Sequence, residues 1–287
     1  MYKTSVITDE ISQDIRVAAQ MAREYGLDAL EIRSVNERNP FFMTKEDILG
    51  VKHTAEEFGL KICGVSSPLF KCSIDDLTTT QAHVDAFRRM MDTMALWDTK
   101  IIRGFPFFNL NDGEKRFGEV VDKFEPIIRM AKDAGVTVVI ESEPSVYTAN
   151  IESLIRFLRL IDDPCVQAVY DPGNEIVDVG TPPPYPDGYE KLKPYIRHVH
   201  VKDILRVPGS FVPAMLGEGS VDFDGIFKRL KQEFDGYVSV ETHYRIRTNV
   251  SEEDLVHPQG SSFSNGGYEA TQAYLNVLRD RYHWMER

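Results

Sequence analysis

Short runs rich in valine and isoleucine, each followed by a longer amphipathic stretch, constrain what this chain can fold into. The β-like runs are Thr4–Thr8, Ala29–Arg33, Lys61–Ser66, Ile101–Phe105, Thr137–Ile140, Val166–Tyr170, Ile196–Val201 and Tyr237–Val240. They are apolar almost throughout, as strands buried on both faces are. Strand and helix alternating in this way predict parallel βαβ units. Eight such units with no linker between them predict a closed (β/α)₈ TIM barrel, one domain over residues 1–287. The length of 287 residues suits that fold, which needs about 250. An open doubly wound sheet would place a glycine-rich turn after the first strand. Here Thr8 is followed by Asp9-Glu10-Ile11-Ser12.

The intervening stretches carry helix signals. Asp14–Tyr25 reads as a helix stopped by Gly26. Thr44 opens another, with Asp47 three residues later in a variant of the capping box, and Gly59 closes it. Thr80–Trp97, Glu114–Ala134, Ile151–Leu160, Phe223–Phe234 and Tyr268–Trp284 follow the same logic. The crossover at Asp187–Pro194 is expected to be short. The stretches Thr181–Pro186 and Val207–Ser220 read as long rim loops, and the polar, glycine-rich segment Ser251–Gly267 reads as a lid or a loose connection.

A formal net charge of −12 argues against nucleic acid as a partner and against an anionic membrane surface. Cys63, Cys72 and Cys165 are odd in number and lack metal-knuckle spacing, so a reducing, cytoplasmic setting is expected. The start MYKTSVITDE has no signal-peptide pattern, and no apolar stretch approaches the roughly 18 residues of a membrane span.

The chemistry stands at strand ends, where a barrel builds its active site. The fifth run ends at Glu141, the sixth at Asp171, the seventh carries His198-Val199-His200-Val201-Lys202-Asp203, and the eighth ends at Glu241. Each of Glu141, Asp171, His200 and Glu241 is about one βα unit from the next, which places them around one rim. Three carboxylates and one imidazole suit one hard-to-borderline divalent ion, Mn, Mg, Co or Zn, while the absence of thiolates argues against a structural zinc site. Taken singly, a carboxylate after a strand is most often a cap or turn residue; it is their joint occurrence on successive strands that carries the reading.

The pieces Ile140-Glu141-x-Glu143-Pro144, Tyr170-Asp171-Pro172-Gly173-Asn174, His198–Asp203 and Gly217-Glu218-Gly219-x-Val221-Asp222-Phe223 resemble the sugar-phosphate isomerase/epimerase superfamily, the xylose-isomerase-like TIM barrels. The resemblance runs over nearly the whole chain. It implies that Glu141, Asp171, His200 and Glu241 are metal ligands, and that Glu141 and Glu241 also exchange a proton with the substrate carbon beside a carbonyl, through an enediolate. It matches Arg206 to a substrate-contacting arginine and implies a small sugar or sugar-derived substrate, with a homo-oligomer as a further expectation. Two positions depart from the ketose epimerases: Asn174 stands where they carry histidine, and Tyr147 where they carry glutamate.

Lys202, Glu143, Arg103, Asn174 and His243 complete the substrate-binding candidates. Each has a structural alternative: Lys202 as a salt-bridge partner of an acid such as Glu143, Arg33 and Arg103 as ion-pair partners of rim carboxylates, Arg206 as a surface arginine. Gly217-Glu218-Gly219 fits a tight turn better than an anion site. The expected activity is a metal-dependent isomerase or epimerase. A metal-dependent lyase or dehydratase on a keto-sugar, keto-inositol or dehydroshikimate-like substrate is the first alternative, and a non-catalytic sugar-binding or partner subunit the second.

Overall fold

A computed structural model describes residues 2–177, 183–208, 210–246 and 266–284. Its centre is a closed parallel barrel of β1 (Lys3–Ile7), β2 (Ala29–Ile32), β3 (Lys61–Leu69), β4 (Ile101–Gly104), β5 (Thr137–Glu141), β6 (Val166–Tyr170), β7 (Ile196–Val201) and β10 (Tyr237–Val240). The order around the barrel is β1-β10-β7-β6-β5-β4-β3-β2, so each barrel strand lies beside the one before it in the chain and the first and last pair to close the ring. All eight expected strands are present, within a few residues at their ends.

Helices α1 (Ile15–Glu24), α2 (Lys45–Glu57), α3 (Leu77–Trp97), α4 (Phe117–Ala134), α5 (Ile151–Ile161), α8 (Phe223–Glu233) and α9 (Gly267–Asp280) surround it, joined by short α6 (Pro172–Val177) and α7 (Tyr189–Leu192). Local chemistry sets their ends. Asp14 accepts the Arg16 amide to cap α1, and Gly26, at φ +63°, carries the chain out of it. Thr44 and Asp47 form the complete reciprocal capping box of α2. No helix among the described residues is long and apolar enough to cross a membrane.

Strand alternation divides the core in two. On β5, β7 and β10, Val138, Ile140, Val199, Val201, Val238 and Val240 join the apolar layer shared with the helices. The opposite phase fills the barrel interior and includes Ser239, His198, His200 and, one step further, Glu141, Lys202 and Glu241. The polar residues of the rim are therefore the continuation of a buried interior phase, and packing fixes where they point.

One segment differs from expectation. Val207–Ser220 is not wholly loop: β8 (Ile204–Val207) and β9 (Ser210–Pro213) form an antiparallel hairpin with Val207 opposite Ser210. A two-residue Pro-Gly connection between β-rich flanks is a hairpin signal. The C-terminal residues Tyr274, Leu275, Leu278, Tyr282 and Trp284 are buried within the chain itself, so barrel packing accounts for their apolar character. Most of Ser251–Gly267 lies outside the described residues, as do Thr181 and Pro182 of the proline-rich stretch.

Candidate metal centre

Glu141, Asp171, His200 and Glu241 meet at the C-terminal mouth of the barrel, with one ligating atom from each lying within 4.8 Å of the others. All four are at most 3% exposed. His200 Nδ1 stands 3.2 Å from Glu141 Oε1 and 3.3 Å from Glu241 Oε2. The four side chains thus converge on one small volume.

Cations hold this cluster from the sides. Arg103 donates to Glu141 at 2.9 Å and approaches Glu241 at 3.9 Å. Arg33 makes a three-way clamp, bonding Asp9 at 3.0 Å and Glu10 and Glu241 at 2.7 Å each. Lys202 Nζ bonds Glu241 at 3.2 Å and lies 2.7 Å from Asp171 Oδ2, an ion contact that lacks hydrogen-bond alignment. Arg33 and Arg103 are the ion-pair partners their strand-end positions suggest. Lys202 pairs with Asp171 and Glu241 rather than with Glu143, which bonds Lys71 and Ser145 instead.

The remaining candidates divide. Asn174 donates to the Ser142 carbonyl at 2.9 Å and reaches Glu141 at 3.4 Å, so it lines the cluster. His243 sits past the end of β10 with a left-handed φ of 46°, its Nε2 3.3 Å from Glu241. Arg206, on β8, bonds the Ile176 carbonyl at 3.1 and 2.6 Å and so ties the hairpin to α6. Tyr147 donates to Asp112 at 2.8 Å. The Gly217–Gly219 turn is filled from inside by the Asp203 carboxylate, which accepts from both glycine amides, at 2.8 and 3.0 Å. That is the tight turn and not an open anion site.

Electrostatics separates the carboxylates. Burial pushes Asp171 up to about 6; Lys202 opposes the rise and Glu141 and Glu241 add to it. Burial acts on Glu141 in the same sense, but Arg103 and the His200 hydrogen bond outweigh it and hold that carboxyl at about 2. Glu241 is likewise held well below the ordinary range, burial being overcome by Lys202, His243 and His200. The buried His200 imidazole is driven up by Glu31 and Glu241.

This donor set fits a divalent cation on the structure's own terms. In and under the mouth six buried carboxylates, Asp9, Glu10, Glu31, Glu141, Asp171 and Glu241, stand against five buried cationic groups, Arg33, Arg103, Lys202, Arg245 and the raised His200 imidazole. Buried charge is costly unless it is compensated, and Asp171 Oδ2 has no hydrogen bond. A hard ion taking oxygen and imidazole ligands answers both deficits.

A closed parallel barrel with acids and an imidazole converging on its C-terminal mouth defines the class of TIM barrels, which build their sites at that end. Within that class, residues 19–263 match the model of the xylose isomerase-like TIM barrel, and the chain belongs to that family. No curated protein sequence matches it. Among solved structures, the probable 3-DHS dehydratase AsbF of Bacillus anthracis is similar with a TM-score of 0.75 at 19% identity, over 97% of this chain and 99% of that one. The IOLI protein with a binding zinc atom gives 0.75 at 17%, over 99% and 100%. The D-allulose 3-epimerase of Methylomonas sp., in complex with D-allulose, gives 0.70 at 15%, over 94% and 95%. Likeness at these identities carries the fold, and the same fold serves an epimerase and a dehydratase.

Proposed function

We propose that this chain is a divalent-metal-dependent isomerase or epimerase of a sugar or sugar-derived carbonyl compound, with Glu141, Asp171, His200 and Glu241 as the metal ligands. The observation that carries this is the convergence of those side chains, from four neighbouring strands, to within 4.8 Å in a buried mouth. When bound there, a divalent ion supplies Lewis acidity that polarises a substrate carbonyl. The chain's own residues do the rest. Glu141 and Glu241, both kept ionised, are placed to remove a proton beside that carbonyl and to return one. Arg103 and Arg33 fix the orientation of these two carboxylates. Lys202 holds Asp171 and Glu241. The metal identity in this reading is Mn, Mg, Co or Zn.

A lyase or dehydratase is the second reading, and a specific observation favours keeping it. At the two positions where the chain departs from the ketose epimerases, Asn174 turns to the Ser142 carbonyl and Tyr147 to Asp112. The same base beside a carbonyl can take the α-proton while the β-hydroxyl leaves as water, the proton being delivered to the leaving oxygen instead of back to carbon.

The test is elemental analysis of the purified protein and of His200→Ala, followed by screening ketoses, keto-inositols and dehydroshikimate in D₂O. About one divalent ion per chain, lost in the variant, with deuterium entering beside the carbonyl of a recovered sugar, supports the isomerase or epimerase. An unsaturated product selects the lyase. Absence of metal from both proteins after reconstitution overturns the metal-dependent reading and favours a non-catalytic barrel.

A further inference from the structure

Beneath the mouth lies a second buried cluster, one layer deeper in the barrel interior. Glu31, from the middle of β2, reaches across the barrel to β7. Its Oε2 stands 2.7 Å from His198 Nε2, and its Oε1 stands 3.3 Å from His200 Nε2. The Ser66 hydroxyl donates to the same Oε1 at 2.5 Å. Glu31, His198 and His200 are no more than 2% exposed. The two imidazoles stand edge to face, with centroids 5.2 Å apart and planes at 88°.

His200 therefore has two distinct edges. Its Nδ1 faces Glu141 and Glu241, and its Nε2 faces Glu31. A carboxylate is acceptor-only, so a buried Glu31 between two Nε2 atoms requires a proton on each of them. A proton fixed on Nε2 leaves the Nδ1 lone pair of His200 for a cation, and it orients the ring in the same stroke.

We propose that Glu31 is the positioning residue of the metal centre, setting the rotamer and the coordinating nitrogen of His200 from below, with Ser66 and His198 holding Glu31 in turn. This rests on the reading of the quartet as a metal site. Glu31 touches neither substrate nor ion; it acts through His200. His198 supports Glu31 through its Nε2, while its Nδ1 is buried without a hydrogen bond.

The experiment is calorimetric titration of Mn²⁺ alone into the metal-stripped wild type, Glu31→Gln and His200→Ala, with thermal melts and circular dichroism on each. Loss of binding in His200→Ala tests the quartet. The inference expects Glu31→Gln to retain the wild-type spectrum and to bind Mn²⁺ about 10–100-fold more weakly. Unchanged affinity in a folded Glu31→Gln, with the wild type binding normally, overturns the role of Glu31 and leaves the quartet intact. Failure of the wild type to bind overturns both. A second measurement needs no Glu31 variant. In protein carrying ¹⁵N-labelled histidine and loaded with diamagnetic Zn²⁺, the His200 Nε2–H is expected as a low-field resonance protected from solvent exchange. It should shift upfield in Ser66→Ala. Absence of a protected Nε2–H in the wild type, or a resonance assigned to Nδ1–H, overturns the inference even if Glu31→Gln fails to fold.

Discussion

Asp171 and Glu141 stand on neighbouring strands in one cluster, yet their carboxyl groups are driven in opposite directions. Burial raises both, but Arg103 and the His200 hydrogen bond outweigh it at Glu141, whereas at Asp171 Lys202 is outweighed by burial together with the charges of Glu141 and Glu241. With its carboxyl raised to about 6, metal-free native Asp171 binds a proton that the unfolded chain has already lost above its ordinary value of 3.8. Its contribution to stability accordingly falls as pH rises through that window and stays low above it. A metal must displace that proton below about pH 6, so the rise in melting temperature on adding Mn²⁺ is expected to be larger at about pH 7.5 than at about pH 5. Differential scanning fluorimetry with and without chelator reads this, and an equal rise at both values counts against it. Glu141→Gln and Glu241→Gln are each expected to slow substrate-dependent deuterium exchange by about 10²–10⁴-fold while leaving the far-ultraviolet spectrum unchanged. At this scale the meeting of the four side chains on one rim was legible in strand-end spacing, while their role as ligands came only from the resemblance. Glu31 lies inside the second β-like run, and its link to His198 was not legible. The partner lies 167 residues away across the barrel, and nothing local encodes the meeting.

Elements show which signals travel in short sequence. Asp14, Gly26, Thr44 and Asp47 act within a few residues of themselves, and the helix ends they mark fall where they were expected. The hairpin of β8 and β9 was passed over because its residues were weighed as rim loop. Its flanks Leu205-Arg206-Val207 and Phe211-Val212 are β-rich on either side of a Pro-Gly dipeptide, a turn signal in sequence. What the sequence could not supply is the hairpin's anchor, the Arg206 guanidinium on the Ile176 carbonyl. The capping box offers the sharper test. Thr44 accepts the Asp47 amide at 3.1 Å, and Asp47 answers at 2.8 Å while also holding Asn36 and Arg38. Thr44→Ala is expected to cost about 1 kcal/mol in urea unfolding. Asp47→Ala is expected to cost about 1–2 kcal/mol, since it removes the bonds to the Thr44 amide and hydroxyl together with those to Asn36 and Arg38. A smaller loss for Asp47→Ala than for Thr44→Ala would show that the cap alone matters.

For the whole molecule, closure of the barrel joins the acids to the stability of the fold. Closing eight strands brings both phases of every strand indoors, and the interior phase of this chain ends in charge: Arg33, Arg103, Glu141, Lys202 and Glu241. An apolar interior could close with no compensation; this one closes with carboxylates in excess of cations. Removing a bound divalent ion from such a mouth leaves mutual repulsion in a medium that screens poorly. The native state is the form that assembles the quartet, since its members come from β5, β6, β7 and β10 and are scattered in the unfolded chain. Metal should then stabilise by mass action, by about 4 kcal/mol at a concentration near 1,000 times Kd. For a chain of this size that corresponds to a rise of about 8–16 °C in Tm. The expected result is such a rise for the wild type with Mn²⁺ against chelator, as one cooperative transition, and none for His200→Ala. A rise of equal size in the variant would place the stabilising ion elsewhere on the acidic surface, because the variant lacks the imidazole on which the three carboxylates converge.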